Sequence, residues 1–174
     1  MGVLNRTPDS FSDGGSYVAE DAAFAHATRM LEEGADIIDV GAESTRPGAA
    51  PIAAPEQIAR LGRVLERLAR GGAICSIDTT SADVARAALD QGARIVNVVD
   101  PGAARETARA ARDFEADLVL MHCRGAMKDM PGFSDHPEDA YGDVVEDVAR
   151  ELRAAADVAL AEGLARAAIV LDPG

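Results

Sequence analysis

The sequence predicts an α/β protein built on a parallel sheet. Three observations predict it: short apolar runs recur along the chain, the stretches between them carry apolar residues at helical spacing, and each run stops on a polar residue. The 174 residues are enough for one ordinary domain with a real core. At 48% hydrophobic and 27% charged the chain reads as soluble and globular. It has no Trp, so the core must be built from Ala, Val, Ile and Leu.

The first run is Val3-Leu4, and Phe24, Ala27 and Leu31 mark the helix after it. Ile37-Ile38 with Val40 form the second run. Pro55 then starts a helix whose Ile58, Leu61, Leu65 and Leu68 share one face. Ile74 to Ile77 form the third run; Ser81 caps a helix carrying Val84 and Ala88, and Gly92 ends it. Ile95-Val96 come fourth, followed by an Ala- and Arg-rich, weakly amphipathic helix over residues 102 to 114. Leu118 to Met121 are fifth. A long stripe of Val145, Val148, Leu152, Ala155 and Ala159 leads to the sixth run, Ala168 to Leu171. Six strands thus alternate with five helices. None of the runs alternates with period two, so both strand faces are expected to be buried. Crossovers of helical length require a parallel sheet, either doubly wound or a barrel. Periodicity leaves both open.

A net charge of -13, with Lys128 the only lysine, argues against nucleic acid, which is held by clustered Lys and Arg. An anionic substrate would have to be met by a few placed arginines or a metal. Cys75 and Cys123 fall at separate strands and read as reduced, packed thiols. No apolar stretch is long enough to span a membrane, and no leader pattern opens the chain, so a cytoplasmic protein is expected. The loops and motifs of nucleotide and zinc chemistry, GxGxxG, GxxxxGK[ST], HExxH and CxxC, are missing from the sequence.

The runs end on Asn5, Asp39, Asp78, Asn97, His122 and Asp172. In a parallel sheet these project at one edge, the C-terminal one, where such folds bind ligands. A single polar strand end is often only a turn former. Six together indicate a shared site. Carboxylates and carboxamides suit a heterocycle with amide and amine edges, because Asp accepts paired N–H groups while Asn both donates and accepts.

Residues 2 to 15, Gly-Val-Leu-Asn-Arg-Thr-Pro-Asp-Ser-Phe-Ser-Asp-Gly-Gly, closely resemble the opening signature of dihydropteroate synthases. The resemblance continues through Gly41-Ala42-Glu43-Ser44-Thr45-Arg46-Pro47-Gly48, Ser76-Ile77-Asp78-Thr79, Ile95-Val96-Asn97, Leu120-Met121-His122 and Leu171-Asp172-Pro173-Gly174. It implies a TIM-type (β/α)8 barrel, with residues 1–174 as one pterin-binding domain. By the same resemblance Asn5 would ligate the Mg2+ that binds the pterin substrate's pyrophosphate. Asp78, Asn97 and Asp172 would hydrogen-bond the pterin ring, with Met121 packed against it. Thr45 and Arg46 would hold the pyrophosphate and stabilise its charge as it leaves. Asp9, Phe11 and Pro47 would sit in two loops closing over para-aminobenzoate, whose amine attacks the pterin methylene. The resemblance also implies a homodimer and a sulfonamide target. A pterin-dependent methyltransferase would lack the Thr-Pro-Asp-Ser-Phe-Ser-Asp-Gly-Gly loop, and a non-catalytic pterin-binding paralogue is the rival of a different class.

Arg6, Val98 and Cys123 depart from the family's usual residues, and Val98 and Cys123 are expected to alter pocket shape. Asp39 is expected to be structural, His122 a satisfied strand-end histidine, and His26 a surface residue; His136 carries no signal. A barrel of this type needs about 250 residues. The expectation is therefore an incomplete barrel of six strands without the family's later Lys, Arg and His. Its first and sixth strands would be open edges, and the 174-residue chain alone would have little synthase activity.

Overall fold

The computed structural model describes residues 1–6, 16–43, 51–123 and 141–174 (for 16–19, the backbone only). Six strands run β1 Gly2–Asn5, β2 Ile37–Gly41, β3 Ile74–Asp78, β4 Ile95–Val98, β5 Asp117–Met121 and β6 Ile169–Asp172. The helices are α1 Ser16–Glu32, α2 Ala54–Leu61, α3 Val64–Arg70, α4 Ala82–Asp90, α5 Ala104–Asp113 and α6 Val144–Ala161. All strand pairs are parallel, and the order is β1-β2-β3-β4-β5-β6. A doubly wound sheet reverses direction at a switch point; this one advances one strand at a time. It is the wall of a barrel.

Counting by twos along the register separates two faces. Leu4, Ile38, Val40, Cys75, Ile77, Val96, Val98, Leu118 and Leu120 are buried and join one core with Ala23, Ala27, Leu65, Ala88, Ala108 and Ala159 of the helices. Removing this aliphatic surface from water drives the layer together, and the alanines let helix and sheet approach closely. The opposite, inner face carries Val3, Asn5, Asp39, Ser76, Asp78, Asn97 and Val119. Burial on both faces therefore describes the central strands only. At the sides Val3 and Val170 are 58% and 51% exposed, and β1 and β6 each pair on one side only among the described residues.

The helices begin and end where the local chemistry says. Ser81 Oγ accepts from Val84 N to cap α4, and Asp143 Oδ1 accepts from Val145 N and Glu146 N to cap α6. Gly92, at φ +102°, ends α4 in the left-handed conformation expected of it. One helix was expected where two are found. Gly62 takes φ +56° and its N–H returns to Ile58 O, so the stripe from Ile58 to Leu68 breaks into α2 and α3, making six α-helices among the described residues. Leu61 and Leu65 are both fully buried, so the apolar period survives a break it cannot reveal. The α6 stripe also needs correcting at its start: Leu152, Ala155 and Ala159 are buried, but Val145 is 71% exposed. Arg67 lies 4.3 Å from the centroid of the Phe24 ring and reaches Asp21 at 2.7 Å, which ties α3 to α1.

Candidate active site

Register assembles the site. Asn5 stands beside Gly41, Gly41 beside Asp78, and Asp78 beside Asn97, the last inner-face positions of β1 to β4. Two residues deeper lies a second row of Val3, Asp39, Ser76 and Ile95. Farther round the wall Met121 pairs with Asp172 on the same face. A side chain at Gly41 would stand 3.6 Å from both Asn5 Oδ1 and Asp78 Oδ2, so the glycine keeps open the gap between them. Of the six polar strand ends, five share this face. His122 turns to the helix side, where its Nε2 lies 2.8 Å from Glu151 Oε2 of α6, the satisfied strand-end histidine that was expected.

Asp39, expected to be structural, ties two strand ends together. It is 5% exposed, and its Oδ2 accepts from Asn97 Nδ2 at 3.2 Å across the inner face of β3. Its inclusion among the polar strand ends was the available signal. Three oxygens on this face, Asp39 Oδ1, Ser76 Oγ and Asp78 Oδ1, are buried and lack a hydrogen-bond partner among the described residues. Burial pushes the Asp78 carboxyl up to about 7, and the negative charges of Asp39 and Glu43 add to the effect. Burial also raises Asp39, opposed by the nearby Ser76 hydroxyl and the Asn97 amide. Near neutral pH Asp78 can therefore accept or donate. Unpartnered buried oxygens are costly, and they sit where a ligand's N–H groups could satisfy them.

Asp172 is exposed, and one of its oxygens accepts from Gly174 N at 3.0 Å, so it also forms the turn after β6. Met121 is half-buried. Asp9, Phe11, Thr45, Arg46 and Pro47 lie outside the described residues. Both ends of the segment carrying Thr45 to Pro47 are tied, however. Glu43 Oε1 accepts from Ile52 N at 2.6 Å and Glu43 Oε2 from Gln57 Nε2 at 3.1 Å, while Gln57 Nε2 also donates to Ile52 O at 2.8 Å. Sequence reasoning missed this brace, although Glu43 stands within the motif it quoted.

Two of the three departures point away from the inner face. Val98 is fully buried in the helix-packed core, so it does not shape the pocket as expected. Arg6 donates from Nε to Arg60 O at 2.8 Å, toward α2, and its N–H extends the sheet to Gly41 O. Cys123 is half-buried and Cys75 buried, and neither is in a disulfide; burial and the Asp100 charge raise the Cys123 thiol.

Among the described residues no three His, Cys, Asp or Glu side chains converge as a metal cage. Asn5 is exposed and offers a neutral oxygen at the rim. That donor fits a cation such as Mg2+, which keeps waters and takes most remaining oxygens from a bound phosphate. At the opposite rim, where the strands begin, a hollow of about 660 Å3 is lined by Ala73, Ile74, Arg94, Phe114 and Ala116. It gathers no convergent set of polar side chains, and ligands of such sheets bind at the other end.

All 174 residues match the family described as pterin binding enzyme. The chain is 47% identical over 176 residues to a dihydropteroate synthase of Mycobacterium leprae, covering all of this chain and 60% of that relative. A crystal structure of the Yersinia pestis dihydropteroate synthase, in complex with a sulfonamide drug, superposes with a TM-score of 0.87 at 38% identity, covering 100% of this chain and 62% of that one. The Burkholderia cenocepacia enzyme, complexed with 7,8-dihydropteroate, gives a TM-score of 0.84 at 38% identity, with 100% and 57% covered. The chain thus spans about three-fifths of the length of these relatives.

Proposed function

The chain belongs to the pterin-binding enzyme family, and from that membership we propose that it carries the pterin half of a dihydropteroate synthase site. The reaction joins 6-hydroxymethyl-7,8-dihydropterin pyrophosphate to para-aminobenzoate, giving 7,8-dihydropteroate and pyrophosphate. One observation carries this reading: Asp78 and Asn97 stand side by side on the inner face, and the buried Oδ1 of Asp78 lacks a partner among the described residues. Those groups match the amine and amide edge of a pterin. Asp172 would close the ring's far side and Met121 its flat face.

The chemistry is a substitution at the pterin methylene. The C–O bond to pyrophosphate breaks with its electron pair leaving on oxygen, the amine nitrogen forms the new C–N bond, and the amine proton passes to solvent. Thr45 and Arg46 would hold the departing diphosphate, and the Glu43 brace anchors their segment on both sides. Asn5 would give an oxygen to Mg2+, which when bound neutralises charge on the diphosphate. Asp9, Phe11 and Pro47 would cover para-aminobenzoate and keep water from the methylene carbon. Positioning and electrostatics supply the rate, and no strong base is needed. A cytoplasmic homodimer belongs to the same reading through the family resemblance.

Calorimetry on the whole gene product tests it. The pterin pyrophosphate with Mg2+ should bind first, and para-aminobenzoate added next should yield dihydropteroate and pyrophosphate in equal amounts. Pterin binding without product formation would leave a binding protein, and no pterin binding would sink the reading.

A further inference from the structure

Asp39 sits deeper than the row that would touch a ligand, yet it is charged, nearly fully buried and on the inner face. Its Oδ2 holds the Asn97 amide nitrogen at 3.2 Å, while its Oδ1 makes no hydrogen bond of good geometry among the described residues, with the Ser76 hydroxyl of the next strand close enough to favour its charge. Such a carboxylate is a poor structural choice, because an apolar residue of similar size would bury at lower cost. Its neighbours do not need it for packing: the aliphatic core lies on the other side of the sheet.

Asn97 is where it acts. A carboxamide on a strand end can present either its oxygen or its nitrogen outward, since the two orientations have nearly the same shape. Asp39 can only accept while ionised, so it captures Nδ2 and leaves Oδ1 turned outward. We propose that Asp39 is a positioning residue that locks the Asn97 carboxamide with its oxygen toward the ligand, so that this point of the site selects a ligand N–H. The inference rests on the pterin-binding reading above and deepens it. Asp78 is the neighbouring acceptor in register, and a ligand edge with two adjacent N–H groups is the one this pair admits. The raised carboxyl of Asp78, to which the Asp39 charge contributes, fits the same close grouping.

The test is affinity for the 6-hydroxymethyl-7,8-dihydropterin pyrophosphate with Mg2+, measured beside thermal stability on the whole gene product. Asp39→Leu should weaken binding by about 10- to 100-fold, the loss of one oriented hydrogen bond in a buried site. Its melting temperature should stay level or rise, because an unpartnered buried oxygen is gone. Asn97→Asp should weaken binding as well, by setting two carboxylates against each other. Combining it with Asp39→Asn exchanges donor and acceptor between the strands and again leaves an oxygen outward at position 97; the double variant should recover at least tenfold of the affinity that Asn97→Asp loses. Recovery of that kind does not follow from a packing role. Unchanged affinity in Asp39→Leu, or no recovery in the exchanged pair, would overturn the assignment. Should Asp39→Leu fail to fold, the exchanged pair decides alone. If the unsubstituted protein does not bind the pterin at all, the underlying reading fails and the role of Asp39 falls with it.

Discussion

Asp78→Asn should stabilise the folded protein at neutral pH while abolishing tight pterin binding. The Asp78 carboxyl is pushed from 3.8 up to about 7 by burial and by the charges of Asp39 and Glu43. Between about pH 4 and 7 the folded protein thus keeps a proton that the unfolded chain has released. Stability therefore falls as pH rises through that window, and the loss is complete above it. Each pH unit in the window is worth about 1.4 kcal/mol, so the span of roughly three units sets an upper limit of about 4 kcal/mol. A carboxamide must be buried in its place and gains few partners, which removes about 2 kcal/mol of that benefit. A net gain of about 2 kcal/mol at pH 8 remains, or about 4–8 °C in melting temperature for a domain of this size. At pH 4, where the folded wild-type carboxyl is already neutral, the gain should be gone and the variant should be less stable by up to about 2 kcal/mol, the carboxamide's own burial cost. Thermal melts of both proteins at pH 4.5, 6 and 8 would read this directly, beside calorimetry with the pterin pyrophosphate. Parallel melting curves, with no pH-dependent gap, would refute the claim that Asp78 is buried at an energetic cost.

Glu43→Gln should raise KM for the pterin pyrophosphate several-fold, because a carboxamide cannot accept from both Ile52 N and Gln57 Nε2 without turning its own N–H groups toward one of them; steady-state kinetics would check it, and unchanged KM would count against the brace. Gly62→Ala should cost about 1–2 kcal/mol in urea denaturation, since the residue holds φ +56° and a Cβ there would lie 2.8 Å from Glu20 Oε2.

Much of the fold was legible because a parallel sheet leaves a simple trace. Its strands are short aliphatic runs, and their helices declare themselves through caps such as Ser81 and stops such as Gly92. The Ala- and Arg-rich stretch near residue 104 forms α5 and is strongly rather than weakly amphipathic as expected: Ala104, Thr107, Ala108 and Ala111 are buried while Arg105, Glu106 and Arg112 face outward, a contrast that small apolar residues hide in the sequence. The break at Gly62 was not legible. A stripe of Leu61, Leu65 and Leu68 looks continuous whether or not the backbone is, and glycine inside a helix is merely unfavourable. The site divided along the same line. Which residues end strands can be read from the chain, but which face each one takes depends on where the strand begins. His122 and Met121 are adjacent, and one residue of offset sends the first to Glu151 and leaves the second on the inner face. Asp39 was legible only as one of the polar strand ends: its contact with Asn97 crosses an intervening strand, and nothing local to either residue signals the other.

The acidity of the chain bears on how such a site could work. An overall charge of -13, with Asp39, Asp78 and Glu43 close together on the inner face, would oppose the approach of a diphosphate. Two features of the inner face reduce that opposition. Asp78, held near 7, carries only part of a charge at neutral pH. Glu43 spends its charge on the Ile52 N–H and the Gln57 amide, within the brace that leads to Arg46. In the proposed reading the carboxyls would then serve as hydrogen-bonding groups for a neutral ring, while the anionic tail would be left to Arg46 and a cation at Asn5. A heterocycle and its diphosphate make opposite electrostatic demands. In the proposed reading strand register would separate them: Asp78 and Asn97, the proposed ring-binding pair, lie on β3 and β4, and Asn5, the proposed cation ligand, ends β1.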